Sequence, residues 1–339
     1  MLRIIDANLN RLNEGLRLLE DVARFTLNDA ATSAKLKSLR HELSEGVAPM
    51  REALLSARDA SGDVAAFAEE DMKRDDMPAI VAANARRVTE SLRVLEELAK
   101  LPDSGLDPER FKRARFAVYT IERELMGKIL RREKRIRGLY VIIDPELLGG
   151  KDEMKTCQQA IRGGASVIQL RDKKRDKAEV LTSARRFKEA CAKSNVPLII
   201  NDYLDITIAT DADGVHLGDC DLPVAEARRL LPIDKLIGRS TKTVAQAKQA
   251  ESDGADYIAV GSMYPTTSKE KFTIVGPERL RQIRKAVALP IVAIGGINAD
   301  NIGDVVAAGA DGAAVISAVL TADNVESAAR RLAQRMEVA

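Results

Sequence analysis

Two kinds of hydrophobic spacing divide the chain. In the first part, apolar residues recur every three or four positions, which is the spacing of one buried helix face. The stripe Leu9, Leu12, Leu16, Leu19 and Val22 returns 76 positions later as Ala85, Val88, Leu92, Leu95 and Leu98. After about residue 137, short β-branched runs alternate with helical stretches, the pattern of successive strand–helix units. The spacing predicts an all-helical domain over 1–133 and an α/β domain over 137–339.

The two helical stripes are copies of one segment. It occurs as ANLNRLNEGLRLLEDVARF at 7–25 and as ANARRVTESLRVLEELAKL at 83–101. The repeat predicts two related helices in a pseudo-symmetric bundle. Asn8 and Asn84 fall within the apolar arc, where a buried amide needs a hydrogen-bond partner or a ligand. The candidate site residues of this domain are Asn8, Arg11, Glu14 and Arg17, with Asn84, Arg87, Glu90 and Arg93. Weak exposed ion pairs along the helix are the alternative role of the charged ones.

Eight short apolar runs are the strand candidates of the second part. They are Gly138–Ile143, Ala165–Leu170, Pro197–Asn201, Gly214–Leu217, Leu236–Arg239, Tyr257–Gly261, Pro290–Gly295 and Gly312–Ser317. Helices are predicted between them, for example over Lys177–Lys193, Val244–Asp253 and Pro277–Val287. Eight strand–helix units predict a (β/α)8 TIM barrel. A doubly wound open sheet is the alternative, weakened because no Gly-x-Gly-x-x-Gly turn follows the first run.

Composition narrows the classes of partner. The chain has 53 Lys plus Arg against 51 Asp plus Glu, 3% aromatic residues and no Trp. Neither nucleic acid nor a membrane surface is therefore an expected partner. Three scattered cysteines and two histidines argue against a disulfide framework and a His-rich metal site. No transmembrane run or secretory signal is found, so we expect a cytoplasmic protein, with a homo-oligomer left open.

Polar residues follow the predicted strands, where barrels collect their catalytic groups. Gln169, Arg171 and Lys173 combine an amide and two cations at the second strand, which suits a phosphorylated ligand with a polar ring. Asp202 follows the third strand and Asp221 the fourth. Two carboxylates without a neighbouring histidine are a hard oxygen site that suits Mg²⁺ beside phosphates. Capping of the next helix is the alternative role for each.

The later strand ends supply phosphate-binding groups. They are Ser240 after the fifth strand, Thr266, Thr267, Ser268 and Lys269 after the sixth, Gly296 after the seventh, and Ile316 and Ser317 after the eighth. Hydroxyls, backbone N–H groups and a cation suit a monophosphate. His216 lies in mid-strand and is predicted to pack inside the barrel. With no evident nucleophile or strong base, this set favours charge stabilisation of a leaving diphosphate over covalent catalysis.

Taken together, these motifs resemble the thiamine-phosphate synthase (thiamine-phosphate pyrophosphorylase) family over residues 137–335. The resemblance rests on QLRDK at 169–173, the Asn201-Asp202 pair, DADGVHLG followed by Asp221, GxS at 238–240, GADYIAVGSMYPTTSK, PIVAIGGI and GADGAAVIS. It implies that 4-amino-2-methyl-5-hydroxymethylpyrimidine diphosphate loses pyrophosphate. The nitrogen of 4-methyl-5-(2-phosphoethyl)thiazole then captures the resulting pyrimidine cation, which gives thiamine phosphate.

The resemblance also implies roles for the candidate residues. Those that would bind the pyrimidine diphosphate are Gln169, Leu170, Arg171, Asp172, Lys173, Asn201, Ser240 and Lys269, with Arg171, Lys173, Ser240 and Lys269 also catalytic. Those that would seat the thiazole phosphate are Thr266, Thr267, Ser268, Gly296, Ile316 and Ser317. Asp202 and Asp221 would bind Mg²⁺. Two positions depart from the family pattern, Ser268 in place of Thr and Lys242 in place of a common His.

The N-terminal half resembles the monofunctional hydroxymethylpyrimidine-phosphate kinase family, through motifs like ANLNRxxEGLRxLED and RxxExLRxLEE. Its product would be the substrate of the barrel, which makes a bifunctional enzyme an expectation. Residues 1–130 contain no GxxxxGK[ST] phosphate loop, however. A non-catalytic module for oligomerisation or partner binding is the alternative. For the barrel the alternative is a thiazole tautomerase, which would not need the full pyrimidine-diphosphate site.

Overall fold

The chain folds into two compact units, residues 1–132 and 133–339. The structure is a computed structural model that describes residues 1–58, 73–132, 134, 136–266 and 273–338. Each unit has its own hydrophobic core. Within the described residues, no helix is long and apolar enough to cross a membrane.

The first unit is helical throughout its described residues. Its helices are α1 (Leu2–Asp21), α2 (Ala30–Gly46), α3 (Arg51–Ser56), α4 (Met77–Leu98) and α5 (Pro108–Arg132). A π-helical turn, Val22–Thr26, extends α1. Asp29 and Asp76 begin α2 and α4 by accepting hydrogen bonds from the backbone N–H of Thr32 and Ala79, so both helices start where the sequence offers an N-cap side chain.

The internal repeat is visible in the packing of the first unit. Both apolar stripes are buried against each other and against α2 and α5 in a single cluster. The repeat extends to buried ion pairs. Glu20 of α1 meets Arg40 of α2 at 3.1 Å, and its counterpart Glu96 of α4 meets Arg115 of α5 at 2.9 Å. Both glutamates are only 5% exposed, so each pair joins one copy of the repeated helix to the helix that follows it.

The second unit confirms the (β/α)8 barrel. In the described residues, eight parallel strands pair in chain order, and β1 also pairs with β8 to close the sheet. The strands are β1 (Gly138–Ile143), β2 (Val167–Leu170), β3 (Leu198–Asn201), β4 (Gly214–Leu217), β5 (Leu236–Thr241), β6 (Tyr257–Gly261), β7 (Ile291–Ile294) and β8 (Gly312–Val315). The open-sheet alternative is therefore wrong.

Helices cover the outside of the barrel. They are α6 (Glu153–Arg162), α7 (Lys177–Lys193), α8 (Leu204–Ala209), α9 (Val224–Leu230), α10 (Val244–Ser252), α11 (Gly276–Ala286), α12 (Ile302–Ala307), α13 (Ser317–Leu320) and α14 (Val325–Val338). The strands β1, β4 and β6 have the predicted bounds. β8 ends earlier than predicted because Ile316 leaves the extended conformation and caps α13.

One turn recurs before the even-numbered strands. Three residues ahead of β2, β4, β6 and β8 the chain adopts a left-handed conformation, with φ between 52° and 100°, at Gly164, Asp211, Gly254 and Gly309. These are the GGAS, DADG, DGAD and AGADG segments of the sequence. Glycine takes this conformation without steric cost, and aspartate is among the few other residues that tolerate it.

A carboxylate directly before the strand fixes three of these turns. Each one accepts a hydrogen bond from the backbone N–H of the preceding strand and pairs with a basic side chain of an earlier helix. The three sets are Asp213 with Leu198 and Lys188, Asp256 with Ile237 and Arg228, and Asp311 with Ile291 and Arg284. We call Asp213, Asp256 and Asp311 the turn carboxylates. They lie at the amino-terminal face of the barrel, which leaves the opposite face for chemistry.

Candidate active site

The carboxyl ends of β2 and β3 hold two buried amides. Gln169 and Asn201 point into the barrel and are 3% and 8% exposed. The Gln169 side-chain nitrogen donates to the Asn201 side-chain oxygen at 2.8 Å. Side chains alternate between the two faces of a strand, so the side chain of Leu170, next to Gln169, packs outward against the helices. Only the backbone of Leu170 is therefore left to meet a ligand at the mouth.

Arg171 is held by a residue that the sequence reasoning missed. Its guanidinium forms an ion pair with Asp144, which directly follows β1 and is 1% exposed. The backbone N–H of Arg171 also donates to the carbonyl of Ile143 at 3.0 Å. The signal in the sequence was the acidic residue after the first strand, in the position that Asp202 takes after the third. Asp144 thus holds the Arg171 guanidinium at the carboxyl ends of β1 and β2.

Asp172 has partners within its own loop. Its carboxylate accepts hydrogen bonds from the backbone N–H of Lys174 at 3.1 Å and of Arg175 at 3.0 Å, and pairs with the Arg175 guanidinium. Burial opposes ionisation, but these contacts lower the pKa of Asp172 below its usual value. The carboxylate thus shapes the β2–α7 loop that carries Lys173. A contact of this side chain with substrate stays a prediction.

The two predicted metal ligands come together at the ends of β3 and β4. Burial, followed by a hydrogen bond with Asp221, raises the pKa of Asp202, and the neighbouring Lys173 opposes the shift. The ammonium of Lys173 lies 3.0 Å from Asp202. The backbone of Asp202 is left-handed, with φ of 64°, and its N–H donates to the carbonyl of His216 at 2.9 Å. Repulsion between the two carboxylates makes this a place that favours a cation.

The donor set fits Mg²⁺. Carboxylate oxygens are the ligands that this ion prefers, and it commonly keeps water and substrate phosphate oxygens as the rest of its shell. Asp202 and Asp221 would supply the two protein ligands. No cluster of three or more His, Cys, Asp or Glu side chains suited to a metal occurs in the part of the chain that the structure describes. Two carboxylates would leave the remaining positions around such an ion to water and substrate oxygens.

Ser240 ends a chain of polar groups inside the barrel. Its hydroxyl lies 3.0 Å from Nε2 of His216, whose Nδ1 lies 3.2 Å from the Tyr257 hydroxyl. The Tyr257 hydroxyl in turn lies 3.1 Å from that of Tyr140. Gly238 makes room for this chain, since a Cβ there would lie 2.1 Å from Cζ of Tyr257. His216 is buried as predicted, but it also connects the candidate Ser240 to two tyrosines that the sequence did not single out.

The turn after β4 carries Asp221 and is held from β5. The backbone N–H of Gly218 donates to the Asp221 carboxylate at 2.6 Å. Arg239 donates to the Gly218 carbonyl at 2.7 Å. Lys242 donates to the carboxylate of Asp219 at 2.6 Å. Arg239 therefore fixes the turn that presents a predicted metal ligand, whereas Lys242 contacts only the exposed side chain of Asp219.

A cavity of about 810 Å³ opens at the ends of β4 to β8. This volume lies within the range of small-molecule sites. The site candidates in its wall are Ser240, Thr266, Gly296, Ile316 and Ser317. Thr267, Ser268 and Lys269 lie outside the described residues. The structure thus brings together the predicted phosphate-binding positions at the ends of β6, β7 and β8 that it describes, next to Ser240.

The candidates in the first unit lie on α1 and α4. The side-chain amides of Asn8 and Asn84 donate to the carbonyls of Ile4 and Ile80, one turn earlier in the same helix, at 2.8 and 2.9 Å. These hydrogen bonds give both buried amides a partner within their own helix, without a ligand. The charged candidates are exposed on the helix surfaces: Arg11, Glu14, Arg17, Arg87, Glu90 and Arg93. Arg17 and Arg93 form equivalent ion pairs with Asp21 and Glu97.

Two family models match the chain, one for each unit. The model described as thiamine monophosphate synthase matches residues 139–319. The model described as the ThiD2 family matches residues 3–124. The matched ranges fall within the barrel and within the helical unit respectively.

Curated relatives and a solved structure agree with these matches. The thiamine-phosphate synthase of Thermosynechococcus vestitus is 37% identical and aligns with 98% of this chain and 94% of its own length. That of Methanospirillum hungatei is 48% identical and covers 59% of this chain and 97% of its own length. A thiamine phosphate pyrophosphorylase structure from Pyrococcus furiosus has a TM-score of 0.56 at 36% identity, covering 62% of this chain and 98% of that chain.

Proposed function

The chain belongs to the thiamine-phosphate synthase family, and we propose that its barrel joins hydroxymethylpyrimidine diphosphate to the thiazole phosphate. The C–O bond to the diphosphate breaks, a C–N bond to the thiazole nitrogen forms, and pyrophosphate leaves. The observation that carries the proposal is the pair of adjoining carboxylates, Asp202 and Asp221, beside the cations Arg171 and Lys173. A thiazole tautomerase would not need this arrangement.

The buried amides support a role in holding the pyrimidine ring. A ring with an exocyclic amine and two ring nitrogens needs both donors and acceptors, and an amide side chain provides both. Gln169 and Asn201 lie at the bottom of the mouth, paired with each other at 2.8 Å. Because both are almost fully buried, their amides are oriented before substrate arrives, which lowers the cost of binding.

Neutralisation of the leaving group is the main catalytic task. A carbocation-like step leaves its charge on the diphosphate, and preformed cations stabilise that charge without reorganisation. Arg171 is held in place by Asp144, and Lys173 reaches the same region from the β2–α7 loop. Mg²⁺ at Asp202 and Asp221 would add two positive charges to the diphosphate. We assign Lys269 to the same group by resemblance.

The second substrate would bind at the cavity wall formed by the last strands. Gly296 follows β7, and Ile316 and Ser317 begin the short helix after β8. Barrels that bind phosphates use the backbone N–H groups of this region. Thr266 adds a hydroxyl from the end of β6, and Thr267 and Ser268 extend this group by resemblance. The thiazole nitrogen would then face the pyrimidine bound near β2 and β3.

The test uses the full chain with both substrates and Mg²⁺. Wild type should form thiamine phosphate and pyrophosphate in equal amounts, and Asp202→Asn should lower kcat at least about a hundredfold because the metal loses a charged ligand. Asp205→Asn is a matched control, since Asp205 lies on the exposed start of α8 and pairs with Lys177. Absence of product with wild type, or normal turnover by Asp202→Asn, would refute the proposal.

A second candidate function concerns the helical unit. We propose that it phosphorylates hydroxymethylpyrimidine phosphate, the precursor of the barrel substrate. The match of residues 3–124 to the ThiD2 family supports this function, together with the repeated Arg and Glu positions that α1 and α4 expose. The alternative is a module without catalytic activity.

The Asp202→Asn variant also tests the kinase proposal in the intact chain. With the synthase blocked, ATP and hydroxymethylpyrimidine phosphate should give hydroxymethylpyrimidine diphosphate and ADP, measured by chromatography. Changing Arg11 and Arg87 together to Met in that background should remove the product. If no diphosphate accumulates before these changes, the helical unit is not a kinase of this substrate.

A further inference from the structure

An ion pair at the mouth of the barrel has no role in the function proposed so far. Lys242, which follows β5, donates to the carboxylate of Asp219 at 2.6 Å. Both side chains line the 810 Å³ cavity beside Ser240. They are nearly half exposed, at 46% and 45%. Exposed pairs of this kind contribute little to stability, so a ligand with a higher negative charge can replace one partner.

The turn that carries Asp219 does not depend on this pair. The Arg239 guanidinium donates a hydrogen bond to the Gly218 carbonyl at 2.7 Å, and the Gly218 N–H donates to the Asp221 carboxylate at 2.6 Å. The backbone N–H of Asp221 also donates to the Gly218 carbonyl at 3.2 Å. Such a turn keeps its first and last Cα atoms within about 7 Å. Lys242 can therefore leave Asp219 while Asp221 stays in position.

Lys173 offers a comparison within the same mouth. Its ammonium pairs with Asp202 at 3.0 Å, as the ammonium of Lys242 pairs with Asp219. Lys173, from the loop after β2, thus pairs with one predicted metal ligand, and Lys242, from the loop after β5, pairs with a carboxylate two residues before the other ligand, Asp221. A diphosphate bound there would meet both cations.

We propose that Lys242 exchanges Asp219 for the diphosphate of the pyrimidine substrate, and that Asp219 competes for the lysine when the site is empty. This inference rests on the proposed synthase function of the barrel. Charge-assisted hydrogen bonds to phosphate oxygens are stronger than a solvent-exposed ion pair, which gives the exchange its direction. Lys242 is therefore a second lysine of the diphosphate site, and Asp219 sets the affinity of that site.

The kinetic test compares three variants of the full chain. Lys242→Met should raise the KM for the pyrimidine diphosphate about tenfold, as expected for loss of one charge-assisted hydrogen bond. Lys242→Arg, which keeps the cation, should restore most of the affinity. Asp219→Asn should lower that KM about two- to fivefold, because the competitor for the lysine is removed. The KM for the thiazole phosphate should stay within about twofold in all three.

Lys248→Met is the matched control, because Lys248 is exposed on α10, shortly after Lys242. It should leave both KM values unchanged. If Asp219→Asn weakens binding as much as Lys242→Met does, the pair serves only to hold the turn and the proposal is overturned. An unchanged pyrimidine KM in Lys242→Met has the same consequence.

Binding of inorganic pyrophosphate separates this proposal from the function on which it rests. Titration calorimetry of the full chain with pyrophosphate and Mg²⁺ should give weaker binding for Lys242→Met and tighter binding for Asp219→Asn. If these affinity shifts occur but wild type forms no thiamine phosphate, the diphosphate site is supported and the synthase function is overturned. Equal pyrophosphate affinity in all variants, with normal thiamine phosphate formation, would overturn the role of Lys242 alone.

Discussion

Removal of the Tyr257 hydroxyl tests whether the buried hydrogen bonds inside the barrel stabilise the fold. Tyr257→Phe removes one oxygen and leaves the ring in place. That oxygen lies 3.2 Å from Nδ1 of His216 and 3.1 Å from the hydroxyl of Tyr140. Burial raises the pKa of both tyrosines above the usual value, so both hydroxyls are protonated near neutral pH.

The expected cost follows from the two partners that lose a contact. His216 and Tyr140 are 8% and 2% exposed, so water does not readily replace the missing oxygen. A buried polar group that loses its partner costs about 1–3 kcal/mol, and with two partners the free energy of unfolding should fall by about 2–4 kcal/mol. The volume of the side chain hardly changes, so no cavity contributes to this figure.

The measurement must report on the barrel separately from the helical unit. Urea unfolding followed by circular dichroism gives the overall transition, and hydrogen exchange of peptides from β4 to β6 gives the local free energy of opening. Tyr203→Phe is the control in the same unit, since its ring keeps the contact with Lys177 at 5.0 Å. It should change stability by less than about 0.5 kcal/mol. Equal effects of the two substitutions would refute the buried network as a source of stability.

Three further outcomes are expected. Asp256→Ala should lower the free energy of unfolding by about 2–3 kcal/mol, because the Ile237 N–H loses its side-chain acceptor and Arg228 loses its carboxylate partner. Glu278→Ala on the exposed surface of α11 should cost less than about 0.5 kcal/mol in the same urea experiment. Asp172→Asn should destabilise the protein near neutral pH and lose this effect as pH falls. A carboxyl with a lowered pKa stabilises the fold above its unfolded pKa of about 3.9 and stops doing so once protonated in the folded state. A gap in unfolding free energy that persists in acid would contradict this. Excess EDTA should abolish thiamine phosphate formation and added Mg²⁺ should restore it, whereas activity that survives chelation argues against the metal.

Hydrophobic spacing was sufficient to predict both architectures. The stripe from Leu9 to Val22 is buried as expected. Apolar residues spaced three and four positions apart lie on one face of a helix, so the spacing alone was enough to predict the buried face. The strands were found because each β-branched run lies between a turn and a helix. Their ends were less certain, as β5 shows by continuing to Thr241. Pairing with β6 extends that strand, and single-chain spacing carries no information on pairing partners.

The candidate site could be predicted as a set of positions but not as a set of contacts. Gln169 and Asn201 were placed at adjacent strand ends from the sequence, whereas their hydrogen bond depends on the twist of the barrel. Asp144, Arg239 and Tyr257 were missed because their roles depend on neighbours 20 or more residues away in the chain. Long-range contacts of this kind leave no periodic signal in the sequence.

The turn carboxylates have a consequence for the order in which the barrel forms. The strand N–H and the helix side chain that each of Asp213, Asp256 and Asp311 joins precede it in the chain by between 15 and 28 residues. During synthesis, each carboxylate therefore leaves the ribosome when the helix and strand that it joins are already complete. The barrel can be secured in three successive steps from its first strands to its last, with β8 closing against β1 at the end. Short separations of this kind favour fast folding, and they keep each newly made strand paired while the next one is still being translated.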